Sequence, residues 1–196
     1  MEQFLTVLRR ALTLEEGAWE ELRDNASFTP IAAGLVVVIA LLGGLGAWLW
    51  GEINFESSPD GWFVDTVVLG SLFTLLLLLA WVVVTYLVLT RGFGVSAAPD
   101  ALFRIFAVGV VPWALGFLVF IPELNLWIGF SSVALTFCLL VFALRTAFAV
   151  EHMRAMMAVM AGFAVFAIVL ALLITYDNSW LNGATIFEQG EDVLTN

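Results

Sequence analysis

Few residues of this 196-residue chain carry side chains able to do chemistry, and they are scattered. One pair stands together, Glu151-His152, and it holds the only histidine. A carboxylate beside an imidazole is raw material for proton transfer. The order Glu-His-Met-Arg, however, does not reproduce the His-Glu-x-x-His spacing that puts two zinc ligands on one helical face. The pair reads as a polar loop at headgroup level, with a catalytic or proton-sensing role as the alternative. Met153, Met156, Met157 and Met160 follow directly. Thioethers bind Cu(I), but no paired cysteine or second histidine stands near them, and methionine also fills irregular gaps between helices. Cys138 is the single cysteine, which excludes a disulfide or a Cys-based metal site within the chain. No cofactor, metal site or catalytic residue is expected, and an enzyme ranks last among the readings.

Two further sets remain. Arg91, Arg104, Arg145 and Arg154 are candidates for an inner-face contact with anionic lipid headgroups or an acidic partner. The plainer reading is that they only set topology. Gly109, Pro112 and Gly116 are candidates for a hinge, because a proline inside a helix kinks it and frees a carbonyl one turn earlier. Ser71, Thr74, Ser131, Ser132 and Thr136 either line a polar path or hydrogen-bond between helices.

The elements that must position these residues are membrane spans. Hydrophobic residues make up 62% of the chain, charged residues 12%, and mean hydropathy is +1.04. Typical soluble domains carry roughly 25% charged residues, and a fold of this size could not hide so much apolar surface. Seventeen acidic residues face seven basic ones, all arginine, so nothing marks a nucleic-acid partner. An ordinary cytosolic enzyme and a disordered chain are excluded as well.

A helix needs about 20 apolar residues to cross the hydrocarbon core. Five segments qualify: 30–50, 62–89, 101–121, 124–149 and 156–176. Pro30, Pro59, Pro99 and Pro122 sit at plausible first helical positions. With five crossings all seven arginines fall on one side. The positive-inside rule then places the N-terminus in the cytoplasm and the C-terminus outside, in a prokaryotic cell membrane. Trp48, Trp50, Trp62, Trp127, Tyr176 and Trp180 gather near the outer boundary, where amphipathic rings settle.

The expected organisation is all-α. Residues 1–28 form a cytoplasmic amphipathic segment, 29–176 the five-helix membrane domain and 177–196 an acidic, flexible outer tail. Within residues 2–14, Phe4, Leu5, Leu8, Ala11 and Leu12 recur at helical spacing, predicting a helix lying on the inner membrane face. Residues 18–25 supply a second helical piece. No cleavable signal peptide is evident.

Arg91-Gly92-Phe93-Gly94, a small-residue loop, Ala101-Leu-Phe-Arg-Ile-Phe-Ala107 and Pro112 in the next helix form one recognisable run. Phe142-Ala-Leu-Arg145 followed by Glu151-His152 and Ala155 forms another. With five spans and a cytoplasmic N-terminus, this resembles the Yip domain family (Ypt/Rab-interacting proteins) in its prokaryotic form, over roughly residues 15–175. The resemblance implies a five-helix membrane domain without catalytic activity. Eukaryotic relatives bind Rab GTPases, but their acidic-Leu-Tyr-Gly-Pro segment has no counterpart in residues 15–29, so that role does not carry over.

The leading expectation is a non-enzymatic membrane scaffold, adaptor or lipid organiser, with membrane lipids and a membrane-protein partner or a second copy as its contacts. Span centres free of ionisable residues argue against a pump or ion-coupled transporter. An accessory subunit of a larger membrane complex is the first alternative. A small permease or channel for an uncharged solute is the second. Small-xxx-small pairs such as Gly43/Ala47 and Ala158/Gly162 fit internal packing or a homo-oligomer contact.

Overall fold

The computed structural model describes residues 1–54, 60–121 and 123–174, and every regular element among them is helical. Two short helices open the chain, α1 (Glu2–Leu12) and α2 (Glu16–Asp24). A 3-10 turn, Ala26–Phe28, leads into α3 (Thr29–Asn54); Asn25 caps that turn by accepting from the Ser27 amide at 3.1 Å. Then come α4 (Ser71–Leu87), α5 (Pro99–Gly109), α6 (Asn125–Phe148) and α7 (His152–Ile174). Five stretches are long and apolar enough to cross a membrane: Ala26–Ile53, Val64–Gly92, Pro99–Phe120, Asn125–Phe148 and His152–Leu172. The protein is therefore a multi-pass, all-α membrane protein. The fifth span begins four residues before the sequence expectation. Pro59, Pro122, Tyr176, Trp180 and the expected tail 177–196 lie outside the described residues.

The exposed side chains show what surrounds the bundle. Leu72, Leu76, Leu79 and Val83 form an uncovered stripe on α4, and Met153, Met157, Met160, Ile168 and Leu172 form another on α7. Apolar stripes several turns long are tolerated only against lipid or another apolar partner. Three of the four methionines near the start of α7 thus belong to an outward stripe.

The spans close on one another through small residues. A β-carbon on Gly46 would lie 2.3 Å from the Gly116 carbonyl oxygen, and one on Gly162 would lie 2.3 Å from the Trp81 ring. Gly109 is similarly filled by Leu140, and Gly116 faces Gly43. Ala158 is fully buried, and its carbonyl accepts from the Thr85 hydroxyl at 3.3 Å. These small residues pack spans of one chain against each other, the first of the two uses expected of them. Trp81 occupies the centre. Its indole N–H donates to the Val159 carbonyl at 3.0 Å, and its ring meets Phe106, Trp113, Phe163 and Phe166 at 5.3–6.0 Å between centroids.

Span 3 does not simply kink at Pro112. The α-helix ends at Gly109, and Val111–Phe120 continues as a 3-10 helix with Pro112 in its first turn. The Val108 carbonyl, which loses its α-helical donor to the proline, accepts a backbone N–H at the cap. The expected free carbonyl is thus satisfied. A 3-10 helix rises about 2.0 Å per residue against about 1.5 Å in an α-helix, so the winding lengthens a span of only 22 residues.

Trp50 and Trp62 are buried at 8% and 6% exposure, with Trp62 packed over Gly51, whereas Trp127 is 69% exposed. Of these three, only Trp127 presents its ring on the surface. The N-terminal segment, expected on the inner membrane face, turns much of its apolar face into the protein. Phe4, Val7 and Ala11 of α1 and Ala18, Trp19 and Leu22 of α2 join the same apolar core as the spans. Leu5 and Leu12, read from the sequence as part of the membrane-facing set, remain exposed outside that core.

Candidate functional site at the basic end of the bundle

The N-terminal hairpin, the start of span 3, the end of span 4 and the start of span 5 meet at one end of the molecule. Arg104, one turn into α5, is the hub. Its side chain is 2% exposed. Nε donates to the Leu22 carbonyl at 2.7 Å, and a terminal nitrogen donates to the Arg23 carbonyl. The other terminal nitrogen donates to the Thr29 hydroxyl at 2.8 Å and to the Asp100 carboxylate at 2.7 Å. The last turn of an α-helix leaves its carbonyls without intrahelical donors, and a cation there also complements the helix dipole. Arg104 supplies both to α2. Burial of a guanidinium costs several kcal/mol unless its donors are matched, and here they are matched by four acceptors.

This corrects the reading of Arg104 as an inner-face lipid contact. Its donors are consumed inside the protein, so it is unavailable to a headgroup. Arg23 extends the clamp: it donates to the Ala147 carbonyl near the end of α6 and pairs with Asp24 at 2.7 Å.

The hairpin is stitched internally as well. Arg10 donates to Glu15 at 2.6 and 2.9 Å and to Glu21 at 3.0 Å, and Gln3 donates to Glu21 at 3.1 Å. Hydrogen bonds from Arg10 hold the Glu15 carboxyl below the ordinary range, and those from Arg23 do the same for Asp24. Phe4 stacks edge-on against Phe28, 5.4 Å between centroids, tying α1 to the entry of span 1. Glu16, Glu20 and Asp24 stay exposed at spacing i, i+4, i+8, a single acidic face of α2.

The other candidate arginines, Arg91, Arg145 and Arg154, are exposed. Arg154 lies 6.0 Å from the Phe93 ring centroid and 3.4 Å from Glu151. These contacts border an open cleft of about 370 Å³ lined by Gly92, Phe93, Glu151, Met153, Arg154 and Met157. One wall comes from the end of span 2, where Val88–Gly92 widens into a π-helix and Phe93 donates back to Val88 at 3.1 Å. The opposite wall is the start of α7. His152 is exposed at that start, but it does not line the cleft.

Polar residues of the spans hydrogen-bond within and between helices. Ser71 donates across to the Ala40 carbonyl at 3.0 Å. Thr74 and Ser132 donate to Gly70 and Gly129 within their own spans at 2.9 and 2.8 Å. Ser131 is exposed and Thr136 is buried. A second cleft, about 200 Å³, is lined only by apolar side chains of α3, α4 and α5, including Val36, Leu78 and Phe106. Of the candidate hinge residues, Gly109 packs against Leu140 of α6 and Gly116 faces Gly43 of α3, while Pro112 opens the 3-10 helix. Among the described residues no group of His, Cys, Asp or Glu could hold a metal ion.

No family model matches the chain, and neither a curated protein nor a solved structure matches it.

Proposed function

We propose that this protein is a non-enzymatic membrane scaffold or adaptor that also organises the lipid around it. Its N-terminus lies in the cytoplasm, its C-terminus outside, and its home is a prokaryotic cell membrane. One observation carries the reading: the N-terminal hairpin is fixed to the spans by a buried arginine instead of floating on lipid. A hairpin held this way has little entropy left to lose on docking, which favours its use as a recognition surface. The exposed Glu16, Glu20 and Asp24 give that surface an acidic character suited to a basic partner segment. The resemblance to the Yip domain family supports a five-helix domain that recruits partners without chemistry of its own.

The test is gentle purification of the full chain in nanodiscs, with mass spectrometry of whatever is retained. A stoichiometric protein partner is expected. The double variant Glu16→Lys, Glu20→Lys should lose it by at least about tenfold, since like charges across an interface cost more than the lost attraction. Its thermal stability should be unchanged, because both side chains are exposed. Full retention by the double variant would remove the hairpin face as the docking surface. Absence of any protein partner would sink the scaffold reading.

A further inference from the structure

The cleft between the end of span 2 and the start of α7 is not explained by a docking role for the hairpin. We propose that it binds the phosphodiester headgroup of an anionic phospholipid. This deepens the lipid-organising half of the proposed function and rests on it.

Size and place come first. A volume of about 370 Å³ falls in the range of small-ligand sites. The cleft lies where two spans end, which is headgroup depth for helices that cross the bilayer.

The lining chemistry is mixed in the way a headgroup requires. Arg154 brings a guanidinium that is 51% exposed and, among the described residues, engaged only by the 3.4 Å contact to Glu151 and the ring of Phe93. Arg104 has four close acceptors; Arg154 keeps donors to spare. A guanidinium fork matches phosphate oxygens in pairs. The amides of Met153 and Arg154, in the first α7 turn, have no intrahelical acceptor and sit at the positive end of the helix dipole, on the same wall. Exposed Arg91 precedes Gly92 directly and adds to the local positive field.

The apolar part of the lining separates a lipid from a free anion. Met153 and Met157, 52% and 43% exposed, stand one turn apart on the cleft wall and continue into the outward stripe of α7. A site for inorganic phosphate has no use for that continuity. A phospholipid needs it, because its glycerol and acyl chains must leave the cleft along an apolar helix face. Glu151 is the one element that opposes an anion, and it does so by competing for Arg154.

Native mass spectrometry of the full chain, released from micelles holding equal phosphatidylglycerol and phosphatidylcholine, reads this directly. The wild type should retain phosphatidylglycerol preferentially, and excess inorganic phosphate should not displace it. Arg154→Gln should cut that preference about fivefold, the order expected of one arginine at an anionic surface. Glu151→Gln should strengthen retention, an effect that loss of a merely structural ion pair would not produce. Equal retention of both lipids, displacement by phosphate, undiminished binding by Arg154→Gln, or weaker binding by Glu151→Gln would each overturn the proposal. Both side chains are exposed, and an unchanged thermal midpoint confirms that the variants are folded. Lipid retention is read on the isolated chain, so it stands or fails separately from the protein partner of the hairpin.

Discussion

Arg104 was visible in the sequence only as a charge near a span end. Its acceptors come from Leu22 and Arg23, 82 and 81 positions away, and no local pattern encodes that pairing. Their chemistry gives a sharp prediction. Arg104→Met keeps the stem but strips every donor, leaving two α2 carbonyls and the Thr29 hydroxyl without their partner. The cost should be about 3 kcal/mol. Arg104→Lys keeps the charge but not the fork, so it should recover less than half of that. Limited trypsinolysis in detergent checks both: cleavage after Arg23 should accelerate in Arg104→Met before the bundle melts. Unchanged protection would mean that the apolar faces of α1 and α2 hold the hairpin unaided. Acidity acts on the same hairpin through Glu15 and Asp24, whose carboxyls Arg10 and Arg23 hold low. A depressed carboxylate stabilises the fold above its unfolded pKa and loses that contribution as pH falls through its folded value. Exchange of α1 amides should therefore be flat from about pH 8 to 5, once corrected for intrinsic rates. Opening should begin only as the pH drops through and below roughly 4. Opening already near neutrality would point to a different titrating group.

At the scale of elements, five spans were legible because hydropathy over 20 residues is a one-dimensional signal. The destination of an amphipathic face is not. The spacing of Phe4, Leu8 and Ala11 suits a bilayer or a protein surface equally, and the structure sends that face into the bundle core. Pro112 was legible as a break, but the ten-residue 3-10 continuation was not, since it depends on what packs against it. Glycines likewise announced close packing without naming a partner. The distances now rank them. Gly46→Ala would drive a methyl into the Gly116 and Phe117 backbone, at 2.3 and 2.8 Å, which cannot rotate away. It should cost about 1–3 kcal/mol. Gly162→Ala meets the Trp81 ring and carbonyl and the Thr85 hydroxyl at 2.3–2.7 Å and should cost a similar amount. Gly34→Ala has nothing within 4 Å and should be neutral or stabilising by up to about 1 kcal/mol. Thermal unfolding of the three variants in one detergent decides the matter. An equal loss in all three would mean that helix packing through glycine is not what holds these spans together.

For the whole molecule, the contacts of Arg104, Arg23 and Arg154 involve six chain segments at one end, the hairpin, the starts of spans 1, 3 and 5 and the ends of spans 2 and 4, without saying which compartment that end faces. Orientation follows from a different physical cause, the cost of moving arginines across a membrane during insertion. All seven arginines lie on the side of the hairpin, and four of them, Arg9, Arg91, Arg145 and Arg154, are exposed there. Arg104 is spent on structure, yet it still counts for topology, because insertion precedes the packing that buries it. A cysteine reporter separates the two ends. Ser96→Cys, exposed between spans 2 and 3, should react with a membrane-impermeant maleimide only after the cells are opened. Asp60→Cys, exposed just before span 2, should react in intact cells. The native Cys138 is exposed on the outer face of α6, within a span, where a charged reagent does not reach a lipid-covered thiol. Labelling of Ser96→Cys in intact cells would invert the assignment. The acidic hairpin and the cleft beside Arg154 would then face the exterior, and the anionic-lipid proposal would have to hold in the leaflet poorer in the partners assumed for the hairpin. Labelling of Asp60→Cys alone puts both surfaces on the cytoplasmic side, where anionic headgroups and basic protein segments can be met together.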